Sequence, residues 1–479
     1  MSHQAGGVDD LFGRAEHLFE ADVLPTLADY VAIPCLSPAF DTSWATTGHI
    51  ERAAELLVSW ASTRPIAGLS VEVVRLPGLT PVIVAEAPAS PGFVGDPSAG
   101  ATVLYGHLDK QPPLEDWREG LEPFAAVREG DHLYGRGTAD DGYSFFAALA
   151  AIELAESTGA GHGPCVVLIE ASEESGSPHL GPYLDGLESR LGPSGPCLVV
   201  CLDSGCLTYD RLWATTSLRG IVTATITVQV LSEAVHSGAA GGVVPSSFRL
   251  LRRLLSRIED EETGRLLLSE LSCEVPTARR AEAEQLAAVL GTAAVDRFPT
   301  VPGLRLGGGS VVDLILARSW GASLALVGMD GIPPADNAGN VIRPFTRAKI
   351  AVRVPPTCDP SIAARRIEEV LTEDPPEGAR VAVEALGSPG FDSPEPSAWL
   401  SEAIEAASQR FFGNESGTMG EGGTIPFLAE LAGRFPEAQF LVTGVLGEGS
   451  NAHGPNEMLH LPTVKRVTAS VASILGAVP

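Results

Sequence analysis

Positive charge is scarce in this chain: 32 Lys and Arg stand against 60 Asp and Glu, a formal net charge of −28. That balance argues against nucleic acid and anionic membrane surfaces as partners, because both repel an acidic chain. Cysteine is sparse as well, with seven scattered through 479 residues. An odd number so dispersed is no disulfide framework, and free thiols fit a reducing cytoplasm. Cys197, Cys201 and Cys206 lie close together, but the first two flank the apolar LVV and read as strand residues rather than thiolate ligands. No apolar run approaches the ~18 residues that a membrane span needs. The opening MSHQAGGVDDLFGRAEHLFE lacks a basic segment followed by an apolar one, so no secretory leader is expected. Ten His are too few for a His-rich tract. There is no internal repeat, no low-complexity tract beyond Pro/Gly-rich loops such as 88–100, and no G-x-S-x-G elbow of a serine hydrolase.

What is present is a chain that is 44% hydrophobic and long enough for two domains. Apolar residues at helical spacing predict helices over 9–31 and 48–62. Short β-rich runs follow at 71–76, 80–87 and 101–107, then a helix at 145–157 and strands at 165–172 and 197–203. Strands alternating with helices predict an α/β layer with a mixed, largely parallel sheet. After about residue 213 the texture changes. An alternating strand at 220–233, an amphipathic helix at 245–262, strands at 347–355 and 381–386 and a helix at 359–372 predict a smaller α+β domain. Helical patterns at 396–413 and 463–476 return to the first style. The expected layout is a catalytic domain split between 1–213 and 389–479, with 214–388 inserted.

One stretch poses a chemical question. EASEESGS (170–177) follows the apolar CVVLI, so two adjacent carboxylates, Glu173 and Glu174, end a core strand. Like charges repel and are costly to desolvate, and a metal ion is one way to compensate them. YGHLD (105–109), GRGTADDG (135–142), CLDSG (201–205) and NAHGPNE (451–457) also place polar groups at strand ends or in loops. Singly, each has an ordinary explanation: DDG suits a turn, EE before SG suits a helix start, and a lone His is usually structural. Jointly they supply His, Asp, Glu, Asp and His where open α/β sheets gather their active groups, and such N and O donors suit Zn2+.

As an ordered set these segments resemble the zinc-dependent exopeptidases that include carnosine dipeptidases, bacterial dipeptidases, glutamate carboxypeptidase, aminoacylases and acetylornithine-type deacylases. YGHLDKQPPLEDW is especially similar to the dipeptidase branch. The resemblance implies two Zn2+ per subunit, or Mn2+ or Co2+ in their place. His107 and Asp203 would hold one ion, Glu174 and His453 the other, and Asp140 would bridge them. Asp109 would orient the His107 ring, Glu173 would be the general base, and the Asp140–Asp141 peptide would be cis. It further implies a ferredoxin-like inserted domain acting as lid and dimerisation element, hence a homodimer. In that domain His236 of EAVHSG would stabilise the oxyanion, and Asn340, Arg353, Gly423 and Thr424 would bind substrate.

The expected activity is hydrolysis of an amide bond in dipeptides or short peptides, with deacylation of N-acyl amino acids as the alternative. A catalytically inactive binding protein would have lost a ligand or the base, and all are present. The chain departs from the family pattern twice: Gly142 stands where a Lys is usual, and Gly420 replaces a basic residue before the EGG loop. Neither is an expected metal ligand. The remaining His residues (His3, His17, His49, His132, His162, His179, His460) have no motif around them and read as structural or solvated.

Overall fold

The computed structural model describes residues 10–479 apart from 99, 158, 160, 193, 194, 297 and 299. His3 therefore lies outside the described residues. The chain divides into two compact units. Residues up to Thr216, with 393–419 and 430–479, form the first; 217–392 and 420–429 form the second.

A six-stranded sheet organises the first unit, in the order Ser70–Val74, Val82–Ala87, Cys165–Glu170, Thr102–His107, Leu198–Cys201, Gln439–Val442. The last four are mutually parallel and the first two antiparallel, so the sheet is mixed. Every residue of Thr102–His107 and Cys165–Glu170 is buried, as continuous apolar strands covered on both faces must be. Helix Ser144–Ser157 is buried on nearly all sides and packs against Leu461–Leu475. The stretch 9–31 is not one regular helix. Leu11–Leu18 and Leu24–Val31 flank a wider turn at Phe19–Val23, because Pro25 has no N–H with which to continue the ladder.

Four antiparallel strands make the sheet of the second unit, in the order Ser323–Asp330, Phe345–Val354, Gly220–Gln229, Arg380–Ser388. Gly220–Gln229 alternates buried and half-buried residues, with Val222, Ala224, Ile226 and Val228 pointing into the core. Helices Ser247–Leu255 and Pro360–Thr372 supply its apolar counterpart. With each following a strand, the chain runs β-α-β-β-α-β through this layer. The first of these helices stops at Leu255, short of the expected 262. Beyond it, the Arg257 guanidinium donates to the carbonyls of Val370, Glu373 and Asp374, which caps the end of the other helix.

Residues 420–429, grouped by sequence with the rest of 389–479, pack in the second unit. Arg318 holds them there: it donates to the Gly420 carbonyl and pairs with Glu421 at 3.2 Å. Among the described residues, no helix is long and apolar enough to cross a membrane.

Candidate metal centre

The parallel strands of the first unit end on the same edge, and their register sets the site. His107 closes its strand directly opposite Glu170, and Glu173 and Glu174 follow in the next turn. Asp203 lies two residues beyond Leu198–Cys201. Asp140 comes from the loop before helix Ser144–Ser157, and His453 from the loop before Met458–His460.

These side chains converge. His107 Nε2 lies 3.4 Å from Asp140 Oδ1, 3.8 Å from Asp203 Oδ2 and 4.0 Å from Glu173 Oε2. His453 Nε2 lies 3.1 Å from Asp140 Oδ2 and 3.4 Å from Glu174 Oε2. Asp140 thus turns one oxygen to each histidine. Two groups have ligand atoms within 4.8 Å of one another: His107, Glu173 and Asp203, and His107, Asp140 and Glu174. Glu174 therefore neighbours both imidazoles rather than His453 alone, and Glu173 stands close enough to be a ligand as well as a base.

Asp109 faces both His107 and the glutamate turn. His107 Nδ1 meets the Asp109 backbone carbonyl at 3.0 Å, while the carboxylate is 3.6 Å away. That carboxylate also accepts from the backbone N–H groups of Glu173 and Glu174, each at 3.1 Å. It therefore fixes the turn that presents both glutamates. The Asp140–Asp141 peptide is cis.

Electrostatics explain why this pocket would take cations. Burial, reinforced by Asp140, pushes the Glu174 carboxyl up to about 8. Burial likewise raises Glu173 and Asp203 well above the carboxylate range, with repulsion from neighbouring carboxylates adding to it. The His453 side chain is 58% exposed; partial desolvation lowers it, but Asp140 and Glu174 lift it to about 9. His107 Nε2 and Glu174 Oε1 are buried with no hydrogen-bond partner. Orphaned imidazole and carboxylate atoms facing one another are the donor set that divalent zinc binds. The residues present fit a metal site.

Three supporting residues were not assigned roles from sequence. Glu457, fully buried, accepts from the N–H groups of Gly137, Ala139 and Asp140 and from Arg136 Nη1 at 2.8 Å. It holds the loop that presents Asp140, and its place at the end of NAHGPNE was the available signal. Lys110 is buried, and its ammonium donates to the carbonyls of Tyr30, Val31 and Ile33 at 2.9, 3.2 and 2.8 Å. Gln111 Nε2 donates to Glu174 Oε2. A side chain at Gly142 would run into the Tyr30 ring and the Gly137 carbonyl, which accounts for the missing Lys.

In the second unit, His236 pairs in register with Val341, and Ser237 N–H donates to the Asn340 carbonyl at 2.9 Å. That brings His236 and Asn340 side by side. His236 Nδ1 accepts from Gly238 N–H at 3.0 Å, which leaves Nε2 to carry the proton of the neutral ring. Arg353 Nη1 donates to Thr424 Oγ1 at 2.8 Å, and that hydroxyl donates onward to the Arg219 carbonyl. Thr424 thus steadies Arg353 rather than offering its own proton. Gly423 is exposed, with open space where a side chain would be. At Gly420 a Cβ would sit 2.6 Å from Ser319 Cβ, so no basic residue fits there. Elsewhere, His162, His179 and His460 hydrogen-bond to their own surroundings.

Residues 103–477 match Peptidase family M20/M25/M40, and the chain belongs to that family. It is 27% identical over 392 residues to the cysteinylglycine-S-conjugate dipeptidase of Corynebacterium striatum, spanning 80% of this chain and 81% of that one. Against the Cys-Gly metallodipeptidase of Schizosaccharomyces pombe the identity is 24% over 406 residues, spanning 80% and 79%. Among solved structures, the dipeptidase Dug1p from Saccharomyces cerevisiae aligns with a TM-score of 0.78 at 22% identity, covering 100% of this chain and 99% of that one. That likeness shows the shared fold.

Proposed function

We propose that the protein is a dinuclear zinc dipeptidase of the cytoplasm that hydrolyses the amide bond of dipeptides or short peptides. The observation that carries this reading is Asp140 standing between His107 and His453, each within 3.4 Å, with Asp203 and Glu174 beside them. Membership of a peptidase family supports it, as do the relatives named as dipeptidases.

His107, Asp140, Asp203, Glu174 and His453 would hold the ions, which when bound supply Lewis acidity to the scissile carbonyl and its attacking water. Glu173 accepts the proton of that water and delivers it to the leaving nitrogen. The Asp109 carboxylate keeps the Glu173–Glu174 turn in place for this. In the second unit, the His236 Nε2 proton stabilises the developing oxyanion, and Asn340, Arg353 and the loop at Gly423 and Thr424 bind the substrate's carboxylate end. This unit serves as lid and dimer interface, so the active form is a homodimer.

Turnover of a dipeptide panel against an N-acyl amino acid panel, with zinc, manganese or cobalt added in turn, tests the assignment. Dipeptides should be cleaved and N-acyl amino acids left intact. The reverse selectivity would replace the reading with a deacylase. Light scattering of the purified protein should give twice the chain mass, and a monomer that turns over at full rate would remove the dimer from it.

A further inference from the structure

Among its described residues, the second unit brings one buried and two half-buried arginines together around a single carboxylate. Arg219, Arg318 and Arg353 gather around the loop 420–424, and Glu421 is the carboxylate among them. Glu421 is already committed to Arg318 at 3.2 Å. Three guanidinium groups less one carboxylate leave a formal charge of +2. Among the described residues, neither Arg219 nor Arg353 makes an ion pair. A buried guanidinium without an anion is costly, so an ionic ligand has much to gain there.

The geometry points to where that ligand would sit. Arg219 is 9% exposed. Its Nη1 donates to the Gly321 carbonyl at 2.9 Å and to Ser323 Oγ at 3.2 Å, while its Nε is buried without a partner. Its Nη2 faces the loop: a Cβ placed on Gly422 would lie 2.9 Å from it. The next residue, Gly423, opens onto free space. Thr424 Oγ1 joins the two cations, accepting from Arg353 and donating to the Arg219 carbonyl. Burial and the neighbouring Arg353 and Arg318 press the Arg219 guanidinium down to about 10, as expected of a cation lacking its counter-charge.

We propose that Arg219 is a second cation of the substrate-carboxylate subsite, acting with Arg353 so that the enzyme selects substrates with a free C-terminal carboxylate. This rests on the reading that Arg353 and the glycine-rich loop hold that carboxylate. Arg219 acts by binding and positioning, with Nη2 directed at the anion and Nη1 anchoring the side chain to the 321–323 turn.

The test uses the zinc-loaded protein, a dipeptide substrate and the C-terminal amide of the same dipeptide as a competitive inhibitor. Arg219→Gln should raise KM for the dipeptide about 10- to 100-fold, the loss of one charge-assisted hydrogen bond, with kcat within about threefold. Inhibition by the amide should stay within about twofold, which a general loss of structure would not allow. Arg219→Lys should recover part of the KM. If Arg219→Gln does not fold, Gly422→Ala displaces Nη2 instead and should reproduce the selective KM rise. An unchanged dipeptide KM in the folded variant, while Arg353→Gln still raises it, would overturn the role of Arg219 and leave the subsite reading standing. If Arg353→Gln also leaves KM unchanged, the subsite reading itself fails.

Discussion

The two units carry opposite kinds of unfinished charge. In the first, the carboxylates of Asp140, Glu173, Glu174 and Asp203 crowd around two imidazoles at strand ends. In the second, the buried Arg219 and the half-buried Arg353 make no ion pair among the described residues. The same physics applies to both. A folded chain rarely leaves a buried charge uncompensated unless something else supplies the counter-charge. On the proposed reading one unit receives cations and the other an anion, and a dipeptidase uses both: ions to activate the reaction and a cationic grip on the carboxylate that marks a peptide's end.

The sharpest way to break this comparison is to remove the cations. Chelation should abolish turnover, and added zinc should restore it to the wild type but not to Asp140→Asn, as followed by a continuous dipeptide assay. Glu173→Gln should lower kcat about 10²- to 10⁴-fold while the metal content stays at the wild-type level, which separates proton transfer from ion binding. Glu457→Ala strikes the support beneath the site. It strips four donors of their buried acceptor and should lower stability by about 3–5 kcal/mol in urea unfolding, with metal affinity falling alongside.

Gly142→Ala should cost about 1–3 kcal/mol through the Tyr30 ring, with activity per folded molecule retained. The smallest effect belongs to a charge that is already compensated. Hydrogen bonds from Arg128 and Lys465 hold the Glu20 carboxyl down to about 2 against its usual 4.5. A depressed carboxyl stabilises the fold above pH 4.5 and loses that contribution as pH falls towards 2. Glu20→Gln should therefore lower the melting temperature at pH 7 by only about 1–3 °C, and the gap should close in acid.

The candidate metal-binding side chains were far more legible in the sequence than their supports. His107, Glu173, Glu174 and Asp203 sit at strand ends, where an apolar run stopping at a polar residue is visible in the residues themselves. Their partners are another matter. Lys110 follows Asp109 in the chain, yet its role depends on three carbonyls some eighty residues earlier, which no local pattern announces. Arg219 reads as an ordinary basic residue between two strands until Gly422 is seen beside it. Asp109 was given its expected role through the His107 ring, because spacing alone cannot say whether a backbone carbonyl will reach Nδ1 first. Most strands of the two main sheets were legible to within a few residues, but the edge strands Ser323–Asp330 and Gln439–Val442 were not expected from the sequence. Helix ends were less so: Pro25 acts by the backbone bond it cannot make, and Arg257 by bonds to carbonyls more than a hundred residues away.

The central claim is best tested by counting metal. Elemental analysis of zinc-reconstituted, dialysed protein should give two ions per chain, and fewer than one in Asp140→Asn. A wild-type protein that cleaves dipeptides at full rate with no bound metal would contradict the account.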